Sequence, residues 1–125
     1  MPTYRHTYPG DAYVDCIGPD VYDNSSDAET NPATRWAKED AEPLADIAQM
    51  AAEHGKPVCV PEWGVGDTPI GDNPYFINAM ADWLASQPSV GYAAYWSGDQ
   101  YSGYQGDLDL YPNAKQAHID RFSVH

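Results

Sequence analysis

Basic residues are scarce in this chain. Six Lys and Arg stand against 19 Asp and Glu, for a net charge of −13. Binding to a nucleic-acid backbone needs clustered cations, and the sequence holds no such cluster. An anionic membrane surface is disfavoured on the same ground. A neutral polymer, a polysaccharide or oligosaccharide, is compatible with the charge, and so is a plainly solvated surface. Long apolar runs are missing as well, since nothing reaches the ~18 residues that a membrane helix takes. The opening Met1-Pro2-Thr3-Tyr4-Arg5-His6 has no apolar stretch of the signal-peptide kind, so the sequence reads as soluble, without a signal peptide, and of open localisation. His6, His54, His118 and His125 are scattered without metal-ligand spacing, and Gly64-Val65-Gly66 is too short for a nucleotide loop. Neither a metal nor a cofactor is expected. The two cysteines, Cys16 and Cys59, form no metal motif. Each sits in an apolar run and is expected to be a buried free thiol.

What the chain does have is aromatic rings with a polar edge: ten Tyr and four Trp against two Phe. Such rings suit sugar-binding clefts as well as ordinary half-buried packing. A chain of 125 residues is most simply a single domain, and a domain near this size hides roughly two-thirds of its unfolded surface.

Three strand-then-helix units can be read along it. A first strand candidate spans Tyr13 to Tyr22, followed by a polar loop from Asp23 to Arg35. Leu44, Ile47, Ala48 and Ala51 then recur at helical spacing. Pro43 suits the first turn of that helix, and Gly55 suits its end, with His54 near the negative end of the dipole. The second strand is Val58 to Pro61. Asn73-Pro74 caps a second helix whose apolar stripe is Phe76, Met80, Trp83 and Leu84, and Pro88 stops it. The third strand runs from Val90 to Trp96. After a loop rich in Gly, Tyr and Asp, a last helix starts near Pro112, with Ala114, Ala117, Ile119 and Phe122 facing inward. Strands alternating with helices imply parallel βαβ crossovers.

One stretch carries chemical interest: Lys56-Pro57-Val58-Cys59-Val60-Pro61-Glu62-Trp63-Gly64. A β-branched run ends in a single acid, and the C-terminal end of a buried strand is where (βα) barrels put catalytic side chains. A full barrel of that type takes about 250 residues, twice the length here.

The residues around Glu62 resemble a known family. Tyr8-Pro9-Gly10-Asp11-Ala12-Tyr13-Val14-Asp15 is followed by Gly18-Pro19-Asp20-Val21-Tyr22-Asp23. Then come Lys56-Pro57, Glu62-Trp63-Gly64 and Ala94-Tyr95-Trp96. Together they resemble the C-terminal part, about strands six to eight, of the family-26-type (βα)8-barrel retaining glycoside hydrolases of clan A, which are β-mannanase-like and often secreted. The resemblance implies an α/β fold: a partial TIM barrel of three or four parallel βα units, residues 1–125 forming one partial domain. It implies that Glu62 matches the catalytic nucleophile after the seventh strand. Tyr22 matches the tyrosine that hydrogen-bonds the nucleophile, and Trp96 matches the aromatic platform beneath the sugar at the cleavage point. The family's general acid/base is a glutamate after the fourth strand, in a region that these residues do not match.

Each site residue also has a plainer reading. Tyr22 suits a barrel-mouth tyrosine packed on a loop, and Trp96 a core or interface ring. Trp63 suits either substrate contact or packing. Tyr101, Tyr104 and Tyr111 are candidates to line a glycan cleft or are exposed loop tyrosines. Asp20, Asp23, Asp67, Asp99 and Asp107 are acid candidates by location, and turn or cap residues by type.

Parallel sheets are normally covered on both faces, and half a barrel leaves its inner face and edge strands open to pairing. A homodimer, or a higher homo-oligomer, that completes the barrel is therefore expected. Two function classes follow. One is a retaining β-glycan hydrolase of mannan type with its nucleophile carboxylate on this chain; the other is a non-catalytic sugar-binding or inactive half-barrel that self-associates.

Overall fold

The computed structural model describes residues 3–23, 29–66, 70–98 and 106–123. Its centre is a parallel sheet of three strands in chain order, β1 (Val21–Asp23), β2 (Val58–Val65) and β3 (Val90–Tyr95). The helices are α1 (Pro32–Arg35), α2 (Ala41–Glu53), α3 (Pro74–Ser86) and α4 (Pro112–Phe122). Strand, helix, strand, helix, strand, helix is the order of a partial (βα)8 barrel.

The first strand is shorter than the expected Tyr13–Tyr22 segment. Pro19 has no N–H for the ladder. Just before it, Ile17 touches β2 as a lone bridge to Val58, with Ile17 N donating to Pro57 O at 3.0 Å and Cys59 N donating to Ile17 O at 3.0 Å. Gly18 sits so close to β2 that a Cβ there would lie 1.2 Å from the Cys59 carbonyl oxygen. Regular pairing resumes only at Val21, opposite Trp63.

The expected free thiols are corrected here. Cys16 and Cys59 form a disulfide, with Cα atoms 5.8 Å apart. The close run of residues 16–18 along β2 brings the two sulfurs together, and nothing in the local sequence announces that approach. Closing a loop of this span restricts the unfolded chain by about 4 kcal/mol on a chain-entropy basis.

The helical path between β1 and β2 begins earlier than expected. Asn31 caps α1, accepting from Thr34 N at 3.1 Å, and Pro32 fills the first turn. A wider π-type segment, Trp36–Asp40, joins α1 to α2. It ends three residues before Pro43, whose missing N–H disturbs an α-helical ladder. The other end follows expectation. Gly55 has φ +63, and Lys56 N reaches Ala51 O at 2.9 Å while Gly55 N reaches Ala52 O at 3.2 Å, a Schellman closure. Asn73 caps α3 by accepting from Phe76 N.

The core lies between one face of the sheet and the helices. Val58, Val60, Trp63 and Val65 meet Leu44, Ile47 and Met50 of α2 and Phe76, Ile77, Met80 and Leu84 of α3. Ala114 and Ala117 are the buried residues of α4, whereas Ile119, expected inside, is 39% exposed. Met50 and Ile77 are buried more deeply than the expected Ala48 and Trp83. The opposite face of the sheet is open, and it bears Pro61, Glu62, Tyr92 and Ala94 as exposed side chains.

Candidate functional site

Glu62 reaches the open face because β2 is not a regular strand. Val60 pairs with Ala93 and Trp63 with Tyr95, so Pro61 and Glu62 together stand opposite the single residue Ala94. The result is a bulge, which interrupts the alternation of burial and leaves Pro61 and Glu62 both exposed within an otherwise buried strand. Bulges of this kind re-aim side chains and cluster beside functional sites. A proline inside a strand points to one, so Pro61 was the available signal.

Glu62 meets Tyr22 across the sheet. The Tyr22 hydroxyl donates to Glu62 Oε2 at 2.6 Å. Burial pushes the Tyr22 pKa well up, helped by the hydrogen bond to Glu62 and by the charges of Glu62 and Asp20. The phenol therefore stays protonated and remains a donor. Its ring is met edge-on by Trp96, with centroids 6.4 Å apart and planes at 83°. The start of the loop after β3 is fixed by Trp96 N donating to Trp63 O at 2.8 Å. Tyr95 holds the loop's far side: its hydroxyl donates to Gly106 O at 3.0 Å and accepts from Val65 N at 3.3 Å.

Trp63 points the other way. It is 1% exposed and packs against Phe76, Tyr95, His118 and Phe122. No face of its ring is open to a ligand, so its substrate contact is corrected to packing. Its Nε1 is buried without a partner. Tyr111 is likewise buried, at 9% exposure. Tyr101, Tyr104, Asp67 and Asp99 lie outside the described residues.

The remaining acid candidates divide by surroundings. Asp20 is exposed, and its charge acts on Tyr22. Asp23 is 3% exposed. Its Oδ1 accepts from Arg35 Nε and Nη2 at 3.0 and 2.9 Å, and its Oδ2 from Asn73 Nδ2 at 2.8 Å. That buried group joins the end of β1 to α1 and to the cap of α3, and it leaves Asp23 no role as an acid. Asp107 accepts from Asp109 N at 2.9 Å and acts as a turn cap. Asp72, which the sequence did not single out, caps α4 from a distance by accepting from Asn113 N and Ala114 N at 2.9 and 2.7 Å.

The opening motif serves as a dock. The Tyr8 hydroxyl donates to Asp11 Oδ1 at 2.9 Å, and His54 Nδ1 lies 2.8 Å from the same oxygen. The Tyr8 ring stacks obliquely on His54, centroids 4.2 Å apart. Lys56 Nζ donates to Asp11 O at 2.8 Å. The Asp11 carboxyl is held below its usual range, first by Tyr8 and then by His54. Among the described residues no group of three or more His, Cys, Asp or Glu comes together to hold a metal ion. Among them, too, no helix is long and apolar enough to cross a membrane.

No family model matches the chain. Over 114 residues it is 32% identical to a mannan endo-1,4-beta-mannosidase of Bifidobacterium adolescentis, a match that takes in 81% of this chain and 11% of that protein. Among solved structures, the catalytic domain of the Bacillus sp. JAMB-750 GH26 endo-beta-1,4-mannanase aligns with 99% of this chain and 37% of its own, at a TM-score of 0.57 and 24% identity. The chain thus spans only a small part of each relative. In sequence it resembles part of a mannanase of the glycoside hydrolase class, and in fold it is a three-stranded portion of the TIM barrel seen in a GH26 domain.

Proposed function

We propose that this chain carries the nucleophile side of a retaining β-mannan hydrolase site, residues 1–125 acting as one partial-barrel unit. The observation that carries this reading is the 2.6 Å hydrogen bond from Tyr22 to Glu62 on the open face of a parallel sheet. A neutral tyrosine donating to one carboxylate oxygen holds that carboxylate in one orientation, as a nucleophile needs. In a retaining glycosidase such a carboxylate attacks the anomeric carbon, and a second carboxyl group about 5–5.5 Å away protonates the leaving oxygen and later activates water. Trp96, edge-on to Tyr22, serves as the platform beneath the sugar.

The second carboxyl group comes from βα units beyond these three strands. A second copy of the chain is one source, set about a twofold axis so that the first strand of one lies beside the last strand of the other. Light scattering at micromolar concentration tests that arrangement; a stable monomer removes it. Reducing-sugar release from mannan and glucan panels tests the chemistry. Release from mannan that is lost in Glu62→Ala supports the nucleophile, whereas equal release from both proteins removes it.

A non-catalytic sugar-binding role is the second reading. It is favoured by the three-strand sheet, whose described residues offer Glu62 with its orienting tyrosine and a ring beside it. Glycan binding that survives Glu62→Ala and vanishes in Trp96→Ala, without turnover, selects it.

A further inference from the structure

The indole of Trp96 needs a fixed orientation if it is to act as a platform, and one of its neighbours is a glycine whose backbone does not require glycine. The positive-φ glycines among the described residues are Gly10, Gly55 and Gly71. Gly98 is not among them, so its φ is open to any residue. Space is what excludes a side chain at this position. A Cβ there would lie 2.1 Å from Trp96 Cζ2, 2.5 Å from Cε2 and 2.6 Å from Cη2. The six-membered part of the indole therefore rests directly on the bare backbone of residue 98. That backbone is itself held, because Gly106 N donates to Gly98 O at 2.9 Å. On another side Tyr22 meets the ring edge-on, and the main chain of Trp96 is anchored to Trp63 O.

We propose that Gly98 is a positioning residue for sugar binding: its missing side chain sets the orientation of the Trp96 ring between the loop backbone and Tyr22. The proposal rests on the reading of Trp96 as a sugar platform. A methyl group at residue 98 occupies the place of the indole and turns the ring to another rotamer. The contact with Tyr22 is then lost, and so is the flat surface beside that tyrosine. Glu62 itself does not move, since it is held by the bulge in β2 and by the Tyr22 hydroxyl.

The test is a double-mutant cycle on the full chain with Gly98→Ala, Trp96→Ala and the pair, using mannohexaose and soluble mannan as probes. Gly98→Ala is expected to weaken binding about tenfold, the scale of one aromatic contact, and to change the near-UV circular dichroism. In the Trp96→Ala background the same substitution is expected to change neither. Unchanged binding in Gly98→Ala overturns the proposal, and so does a loss that persists without the Trp96 ring. If Gly98→Ala does not fold, the pair is expected to fold, because removing the ring removes the collision; a pair that stays unfolded also overturns it. A wild-type chain that binds neither probe removes the sugar-platform reading alone. The near-UV arm then still reports whether Gly98 sets the ring.

Discussion

The two faces of the sheet are built from alternate residues of the same three strands, yet they follow different rules. On the helix side Val60, Trp63 and Val65 are at most 1% exposed and sit in a continuous apolar layer. On the open side Tyr92 is 50% exposed, and Glu62 is held by one tyrosine hydroxyl. The first face carries the fold and tolerates little change. The second carries little of the fold and is free to hold reactive and ring-bearing side chains. That separation lets the proposed catalytic arrangement be carried by part of a barrel.

The sharpest test sets Trp63 against Tyr92. Trp63→Ala is expected to cost about 4 kcal/mol of stability, as large-to-small changes in a packed core do. Tyr92→Ser, across the same sheet, is expected to change stability by less than about 0.5 kcal/mol. Urea denaturation of both variants checks the pair, and equal losses would erase the distinction between the faces. Trp63→Phe is expected to cost far less than Trp63→Ala, because it keeps an aromatic ring in the core while it too removes the unpartnered Nε1.

Next in size is the buried group at the end of β1. Arg35→Met removes the guanidinium from Asp23 and leaves that carboxylate inside with Asn73 alone. A loss of about 3 kcal/mol is expected. Restoration in the Asp23→Leu/Arg35→Met pair would show that the unpaired charge was the cause. Asp72→Ala comes below this. It strips two backbone N–H groups at the start of α4 of their acceptor, and about 1 kcal/mol is expected, the usual worth of a helix cap. Hydrogen exchange at Asn113 and Ala114 should rise first.

The smallest effect is a pH slope on the helix side. Burial pushes the His118 pKa below its ordinary value near 6.5, and the ring lies against Trp63 and Phe122. The folded chain therefore prefers the neutral ring. Its contribution is complete above about pH 6.5 and is lost as pH falls through the depressed folded value. His118→Gln is expected to flatten that part of the stability curve, compared at pH 7.5 and pH 5. An unchanged slope would separate His118 from the packing of Trp63.

What was legible in the sequence was mostly local. The cap Asn73-Pro74, the helix it starts and the glycine closure at Gly55 depend on residues within a few positions of one another, so pattern alone finds them. The partnership of Tyr22 with Glu62 joins residues 40 apart, and it was legible only through family resemblance. The disulfide, the Asp23–Arg35–Asn73 group and the Asp72 cap had no such signal. Each is created by tertiary approach between segments that no local pattern pairs. Trp63 was ambiguous for a related reason. Its neighbour Glu62 faces outward, and the bulge at Pro61 decides which of the two side chains does so.

The bond between Cys16 and Cys59 also gives the chain a closed topology. Residues 16–59 form a covalent ring, with Tyr22 on it and Glu62 three residues past its knot. A protease cut anywhere inside that ring leaves a single molecule, and its two pieces separate only when a reductant opens the sulfur bridge. The partners of the proposed site are thereby tied twice, once by a hydrogen bond and once by a loop that a single backbone cut cannot undo.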